Sequence, residues 1–212
     1  MSSSNGRSGA DRTLYHRLAS RRLVYDWIQR LTGSSVVHRQ VIPWLRLAPG
    51  AVVLDVGGGT GVLKRSVGRG VRHVCLDLER PKLEGYIAEY PDAEPIQADA
   101  VALPVRTSAV EAAALALVTH HLTDEDLNHV LREIARVLAA DGVLVLYDAV
   151  WAPENIAGRL LWKYDRGSHP RTATELATAL ATHFTISARR DFAVLHRYVA
   201  FLCKPLAQAP SP

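Results

Sequence analysis

The sequence predicts an α/β protein, a parallel sheet wrapped by helices on both faces. Three observations predict it. Val52, Val53, Leu54 and Val56 form a short apolar run that reads as a buried strand. Gly57, Gly58, Gly59 and Gly61 follow at once, allowing the backbone to turn sharply and bring its N–H groups near a ligand. From Ala51 onward, strand-like and helix-like segments then alternate, which is the pattern of strands joined by crossover helices. A chain of 212 residues fits one such domain.

Taken in order, residues 1–10 are polar and Ser/Gly-rich and read as a disordered tail, as do residues 207–212. Leu14, Leu18, Val24, Tyr25, Ile28 and Leu31 recur at helical spacing as far as Gly33, with arginines on the other face. Val37, Val41 and Trp44 predict a second, shorter helix, so residues 11–50 form a helical segment ahead of the main domain, residues 51–206. Strands are expected at 51–56, 72–77, 95–98, 110–118 and 142–148, and helices at 60–69, 81–90 and 123–139. The last helix is the clearest, with a stripe from Leu127 to Leu138, Thr123 at its N-cap and Asp141-Gly142 as its stop. Beyond Asp148 come a helical stretch at 153–163, a loop from Tyr164 to Thr172, a helix capped by Thr172 and Glu175, and strands around 184–190 and 194–203.

Charge is unevenly placed. Residues 1–48 hold eight arginines against Asp11 and Asp26, whereas the remainder is slightly acidic, so the net +4 belongs to the N-terminal arm. The arm lacks aromatic interleaving or a known binding motif, which favours a solvated helix face over a nucleic-acid surface. Cys75 and Cys203 sit in apolar strands without the spacing of a zinc site, so no metal is expected and the thiols should be reduced. With neither a long apolar segment nor a secretory pattern, a soluble, cytoplasmic protein is expected.

The glycines do not match the dinucleotide fingerprint G-x-G-x-x-G, because Val62 stands where its third glycine would be. They follow acid-x-Gly-x-Gly-x-Gly instead: Asp55, Gly57, Gly59, Gly61. Asp77 closes the second strand, where a carboxylate can accept both hydroxyls of a ribose. The acid and glycines resemble the first motif of the class I S-adenosylmethionine-dependent methyltransferases. Asp99-Ala100 with Leu103-Pro104, and His120-His121-Leu122 after the fourth strand, resemble later motifs of the same family, small-molecule enzymes of the ubiquinone/menaquinone kind. Val110-Glu111 departs from the aromatic-Asp pair expected at the start of that strand.

The resemblance implies a Rossmann-like, doubly wound sheet of seven strands, mostly parallel with an antiparallel last strand, and an N-terminal helical lid. It implies S-adenosyl-L-methionine as cofactor, with Asp55 and the glycine loop at its methionine half. Asp77 and Leu78 would lie at the ribose, Asp99 and Ala100 at the adenine, and Thr119 beside them. Tyr25-Asp26, Arg39 and Leu47-Ala-Pro-Gly50 match the family's lead-in, which places Tyr25 and Arg39 near the cofactor. His120 or His121 can face the transferred methyl and take a proton from the acceptor, since a histidine titrates near neutrality. Equally, either residue can cap the next helix or bond backbone, and a metal held by His120, His121 and Asp124 is the poorer reading. Trp151, Tyr164, Asp165, Arg166 and His169 are the acceptor-side candidates, with Arg171 able to clamp an anion. The expected reaction is methyl transfer to a small molecule. An RNA methyltransferase and a protein that binds the cofactor without methylating are the alternatives, and a homodimer stays open.

Overall fold

The computed structural model describes residues 34–207 apart from 94, 157, 159–161, 163–168 and 194–195. The helix expected at 14–31, Tyr25, Tyr164, Asp165, Arg166 and both tails up to residue 10 and beyond residue 207 lie outside the described residues. Seven strands form one sheet: β1 (Val52–Val56), β2 (Arg72–Asp77), β3 (Ile96–Gln97), β4 (Val110–Ala116), β5 (Leu138–Val150), β6 (Phe184–Ala193) and β7 (Arg197–Pro205). Their spatial order is β3-β2-β1-β4-β5-β7-β6, with β1 to β5 parallel and β7 antiparallel to both β5 and β6. The doubly wound α/β sheet with its antiparallel last strand is thus as the sequence predicts.

The order of the strands reverses between β1 and β4, which are neighbours in the sheet but far apart in sequence. At such a reversal the crossovers diverge to opposite faces and leave a crevice beyond the strand C-termini. The glycine loop after β1 and the His120 segment after β4 form its two banks.

Four helices are described: α1 (Ser34–Val41), α2 (Arg80–Glu89), α3 (Asp124–Val137) and α4 (Ala173–Ala181). In α3 the Thr123 hydroxyl accepts the Asp126 N–H, and Asp124, Glu125 and Asp126 sit at the positive end of the helix. Its stripe of Leu127, Val130, Leu131, Ile134 and Val137 packs with α4 on the sheet face built from Leu54, Val56, Leu115, Leu144 and Leu146. Each such buried side chain stabilises the fold by about 1.5–3 kcal/mol. The opposite face, with Val53, Ala112, Ala114, Val145 and Tyr147, is covered by α1 and a 3-10 turn at Ile42–Leu45. The reciprocal box of Thr172 and Glu175 starts α4 as expected.

Two expectations fail. The helix expected at 60–69 is only a 3-10 turn, Leu63–Arg65. Gly61, Gly68, Gly70 and the β-branched Val62 and Val67 leave too few helix formers to offset nucleation. Asp141-Gly142 does not separate α3 from β5, because the strand begins at Leu138, directly after the helix. Leu138 pairs with Val110 and Val143 with Ala112, so the dipeptide sits in an irregularity of the ladder. Of the helical stretch expected at 153–163, Ile156, Gly158 and Trp162 carry helical backbone. No helix among the described residues is long and apolar enough to cross a membrane.

Candidate active site

Gly57, Gly59 and Gly61 have φ of 70°, 55° and 80°, a region costly for side chains with a Cβ. The loop also passes close to its supports: a Cβ on Gly61 would collide with the Tyr86 ring. Its N–H groups behave differently from expectation. Those of Gly57 and Gly58 donate to the Leu76 carbonyl at 2.8 and 3.0 Å, and that of Gly59 donates to Asp77 Oδ2 at 3.0 Å. These three donors moor the loop to β2 and are not aimed at a ligand.

The strand-tip acids differ in their surroundings. Asp55 is 2% exposed and lies under Gly58, with His73 Nε2 at 3.2 Å. Asp77, 5% exposed, accepts the N–H groups of Gly59 and Glu79, with Lys82 Nζ 4.0 Å from Oδ2. Beside it, Leu78 is 61% exposed, an apolar surface at the strand tip. Asp99 is exposed and accepts the Val101 N–H, turning its own loop next to the half-buried Ala100. Arg39 is exposed in the last turn of α1, whereas its neighbour His38 is buried and bonds Tyr147 Oη at 3.0 Å and Ser66 Oγ at 2.9 Å.

Across the crevice, β4 ends in a kink at Leu117, whose φ is 59°. Thr119, His120 and His121 then form a 3-10 turn whose inner side is organised by Asp148 of β5. One Asp148 oxygen accepts the Thr119 N–H at 2.7 Å, the Thr119 hydroxyl at 2.5 Å and the His120 N–H at 3.3 Å. The other accepts the Ala149 N–H at 2.8 Å and faces His120 Nδ1 at 2.6 Å. Burial pushes the Asp148 carboxyl up, but the charge of His120 and the hydrogen bonds of His120, Thr119 and Ala149 outweigh it and hold the group below the usual carboxylate range. An ionised carboxylate only accepts, so Nδ1 carries the proton and Nε2 is the basic nitrogen of His120.

His121 is exposed and stacks on His120, with ring centroids 4.1 Å apart. The Trp162 ring meets His120 edge-on at 5.7 Å. His169 joins the cluster through its N–H, which donates to the His120 carbonyl at 3.0 Å. Arg171 is no free anion clamp. Its guanidinium donates to the carbonyls of Thr119 at 2.6 Å and Leu122 at 2.8 Å and forks onto Asp124 at 2.6 and 2.9 Å. Its own carbonyl accepts the Trp151 N–H at 2.8 Å. Arg171 therefore ties the histidine turn to the segment around Trp151.

The structure thus gathers Thr119, His120, His121, Trp151 and His169 on one bank, and Asp55, the glycines, Asp77 and Leu78 on the other. Sequence reasoning assigned no role to Asp148, His73 or Tyr86. A lone acid within the apolar run Val143–Val150 was the available signal for Asp148, since an unpaired buried carboxylate is costly. For His73 and Tyr86 no comparable signal exists.

A glycine loop, acids at successive strand tips and a histidine–carboxylate pair thus stand on the two banks of one switch point in an α/β sheet. Residues 54–146 match the family model described as a methyltransferase domain. A 2-phytyl-1,4-naphtoquinone methyltransferase from Thermosynechococcus vestitus is 30% identical over 147 residues, 64% of this chain and 62% of that protein. A tRNA (carboxymethyluridine(34)-5-O)-methyltransferase from Mus musculus is 28% identical over 130 residues, 60% of this chain but 19% of that protein. A geranyl diphosphate C-methyltransferase from Streptomyces coelicolor, solved with S-adenosyl-L-homocysteine, shares the fold. Its TM-score is 0.68 at 14% identity, over 81% of this chain and 76% of that one. Residues 54–146 thus match a methyltransferase domain, on a fold shared with a structure that holds S-adenosyl-L-homocysteine, and S-adenosylmethionine is the cofactor that goes with such a domain. The chain spans less than two thirds of the length of either sequence relative.

Proposed function

We propose that this chain methylates a small-molecule acceptor from S-adenosylmethionine, with His120 taking the acceptor's proton. The observation that carries the proposal is the 2.6 Å contact of His120 Nδ1 with the buried Asp148. That contact puts a proton on Nδ1 and makes Nε2 the ring's acceptor nitrogen, in the turn that follows β4. When bound, the cofactor supplies a methyl group already activated by its positive sulfur. The protein's main contribution is then alignment of the acceptor, an effect that can reach roughly 7–11 kcal/mol.

The residues present fit such a cofactor. The positive-φ glycines give a surface without Cβ atoms, and the carboxylate of Asp77 retains lone pairs for ribose hydroxyls. The exposed Leu78 with Ala100 offers an apolar face for adenine, and Asp99 an acceptor for its amino group. The exposed Arg39 is proposed for the same ligand, whereas Thr119 commits its N–H and hydroxyl to Asp148 and its carbonyl to Arg171.

On the acceptor side, the aromatic rings of Trp151 and Trp162 with His121 and His169 favour a flat, uncharged molecule. The commitment of Arg171 to carbonyls and Asp124 supports this. The naphthoquinone enzyme above makes a quinol acceptor the first choice. The tRNA relative keeps RNA as the second reading. The two buried, free thiols suit a reducing, cytoplasmic setting.

The test is calorimetric titration with S-adenosylhomocysteine, followed by a mass-spectrometric acceptor screen that includes prenylated hydroquinones and tRNA. Micromolar binding that Asp77→Ala abolishes, with a methylated small molecule whose formation His120→Gln suppresses, is expected. Binding with no turnover across the panel would favour a non-methylating cofactor-binding protein, and turnover indifferent to His120 would remove the base.

A further inference from the structure

Beneath the glycine loop lies a second histidine–carboxylate pair, away from the His120 turn. His73 on β2 pairs in register with Val53, so its side chain shares a sheet face with Asp55, two residues further along β1. His73 Nε2 is 3.2 Å from Asp55 Oδ2, and its Nδ1 is 2.9 Å from the Tyr86 hydroxyl of α2. The His73 side chain is wholly buried and that of Asp55 is 3% exposed. Because a carboxylate only accepts, Nε2 carries the proton and donates to Asp55, and Nδ1 accepts from the Tyr86 O–H. Burial, with the neighbouring Cys75 and Asp55, pushes the Tyr86 phenol above its ordinary range and keeps that hydroxyl a donor. One arrangement of protons therefore satisfies both nitrogens of the ring.

Both ends of this chain of hydrogen bonds support the loop. A Cβ on Gly58 would lie 2.6 Å from the Asp55 carboxyl, and one on Gly61 would collide with the Tyr86 ring. Gly61 N–H donates to Gly58 O at 2.8 Å, so the two contacts bear on one turn. We infer that His73 is a positioning residue for cofactor binding: by joining Asp55 to Tyr86 it sets the height of Gly58 and Gly61 over the sheet, and with it the shape of the loop. The inference rests on the cofactor reading above.

The experiment is calorimetric titration of the full chain with S-adenosylhomocysteine for wild type, His73→Gln, His73→Asn, Tyr86→Phe and Asp77→Ala. The unfolding midpoint of each is recorded without ligand. Glutamine reaches the position of Nε2 and keeps a donor for Asp55, so its Kd should stay within about threefold of wild type. Asparagine reaches only the position of Nδ1 and leaves Asp55 without that donor, so its Kd should rise about tenfold or more. Rescue by glutamine but not asparagine, beyond any shared change in midpoint, separates positioning from a general loss of packing. Tyr86→Phe keeps the ring under Gly61 and removes the hydroxyl. It should weaken binding about threefold, and it carries the test if the asparagine variant does not fold. Wild-type affinity in both His73→Asn and Tyr86→Phe, with Asp77→Ala abolishing binding, overturns this inference alone. A wild-type protein that binds no cofactor overturns it together with the reading beneath it.

Discussion

Replacing Asp148 by asparagine changes one atom and should separate folding from chemistry. The amide has two orientations in a site that presents donors to both oxygens. If its NH2 faces Thr119, two buried backbone N–H groups, those of Thr119 and His120, lose their acceptor. If its NH2 faces His120, only the Ala149 N–H is orphaned, so the second orientation prevails. An orphaned buried donor costs about 1–3 kcal/mol, and replacing charged by neutral acceptors adds to it, for a loss of about 2–4 kcal/mol. At this chain length that lowers the melting midpoint by roughly 5–15 °C. In the favoured orientation the amide donates to Nδ1, which moves the ring proton to Nε2 and removes the base. Turnover should fall on the order of 10²–10⁴-fold, the usual contribution of general-base catalysis. Affinity for S-adenosylhomocysteine should change by no more than about threefold, since the glycine loop is held by β2 and not by Asp148. Single-turnover kinetics, calorimetry and thermal melts, all below the lowered midpoint, measure the three quantities. Full turnover in a destabilised protein would refute the role of His120, and equal losses of turnover and cofactor affinity would show that the crevice had collapsed as a whole. The pH dependence gives a further check. Asp148 is held below its ordinary pKa, so its stabilisation is complete above the unfolded value of about 3.9 and disappears as pH falls through the folded one. The stability gap between wild type and Asp148→Asn should therefore close as the pH falls below about 4.

Other predictions follow from the same contacts. Arg171→Met leaves the carbonyls of Thr119 and Leu122 without their donor. It should lower stability by about 2–4 kcal/mol in chemical denaturation and reduce kcat more than cofactor affinity, because the histidine turn loosens while the glycine loop does not. Gly61→Ala should abolish S-adenosylhomocysteine binding in a calorimeter, since the residue has φ of 80° and its Cβ would meet the Tyr86 ring. Burial lowers the pKa of His38, partly offset by Asp55. The unfolded chain therefore takes up this proton near pH 6.5 while the folded chain resists it, and stability falls as pH drops from there towards the folded value. Protection factors of residues 34–41, with the intrinsic pH dependence of amide exchange divided out, should be lower at pH 5.5 than at pH 7.5, and His38→Phe, which loses the bonds to Tyr147 and Ser66, should remove the difference.

Most of the fold was legible in the sequence because it is carried by local periodicity. Apolar runs marked the strands, and the stripe of α3 with its Thr123 cap marked the best helix. The misses have the same origin. At 60–69 several glycines broke a weak helix that the crossover pattern called for, and at Asp141-Gly142 a strong stop signal was absorbed into the β4–β5 ladder. Tertiary pairing overrode a local rule there, as it does wherever neighbouring strands supply the missing hydrogen bonds.

For the site, the sequence by itself determined the residues whose chemistry is local: glycines at positive φ, acids at strand tips, and two histidines after β4. Only the tertiary structure decided which of these act together. Asp148 and His120 are 28 residues apart and meet because β4 and β5 are parallel neighbours with their tips at one edge. Arg171 had the composition of an anion clamp and became a brace, because the carbonyls of Thr119 and Leu122 lay within its reach. Asp55, His73 and Tyr86 come from two strands and a helix, and nothing in their spacing foretells that they meet under one loop. Hydrogen bonds between distant segments act over about 3 Å, and only folding brings their partners that close.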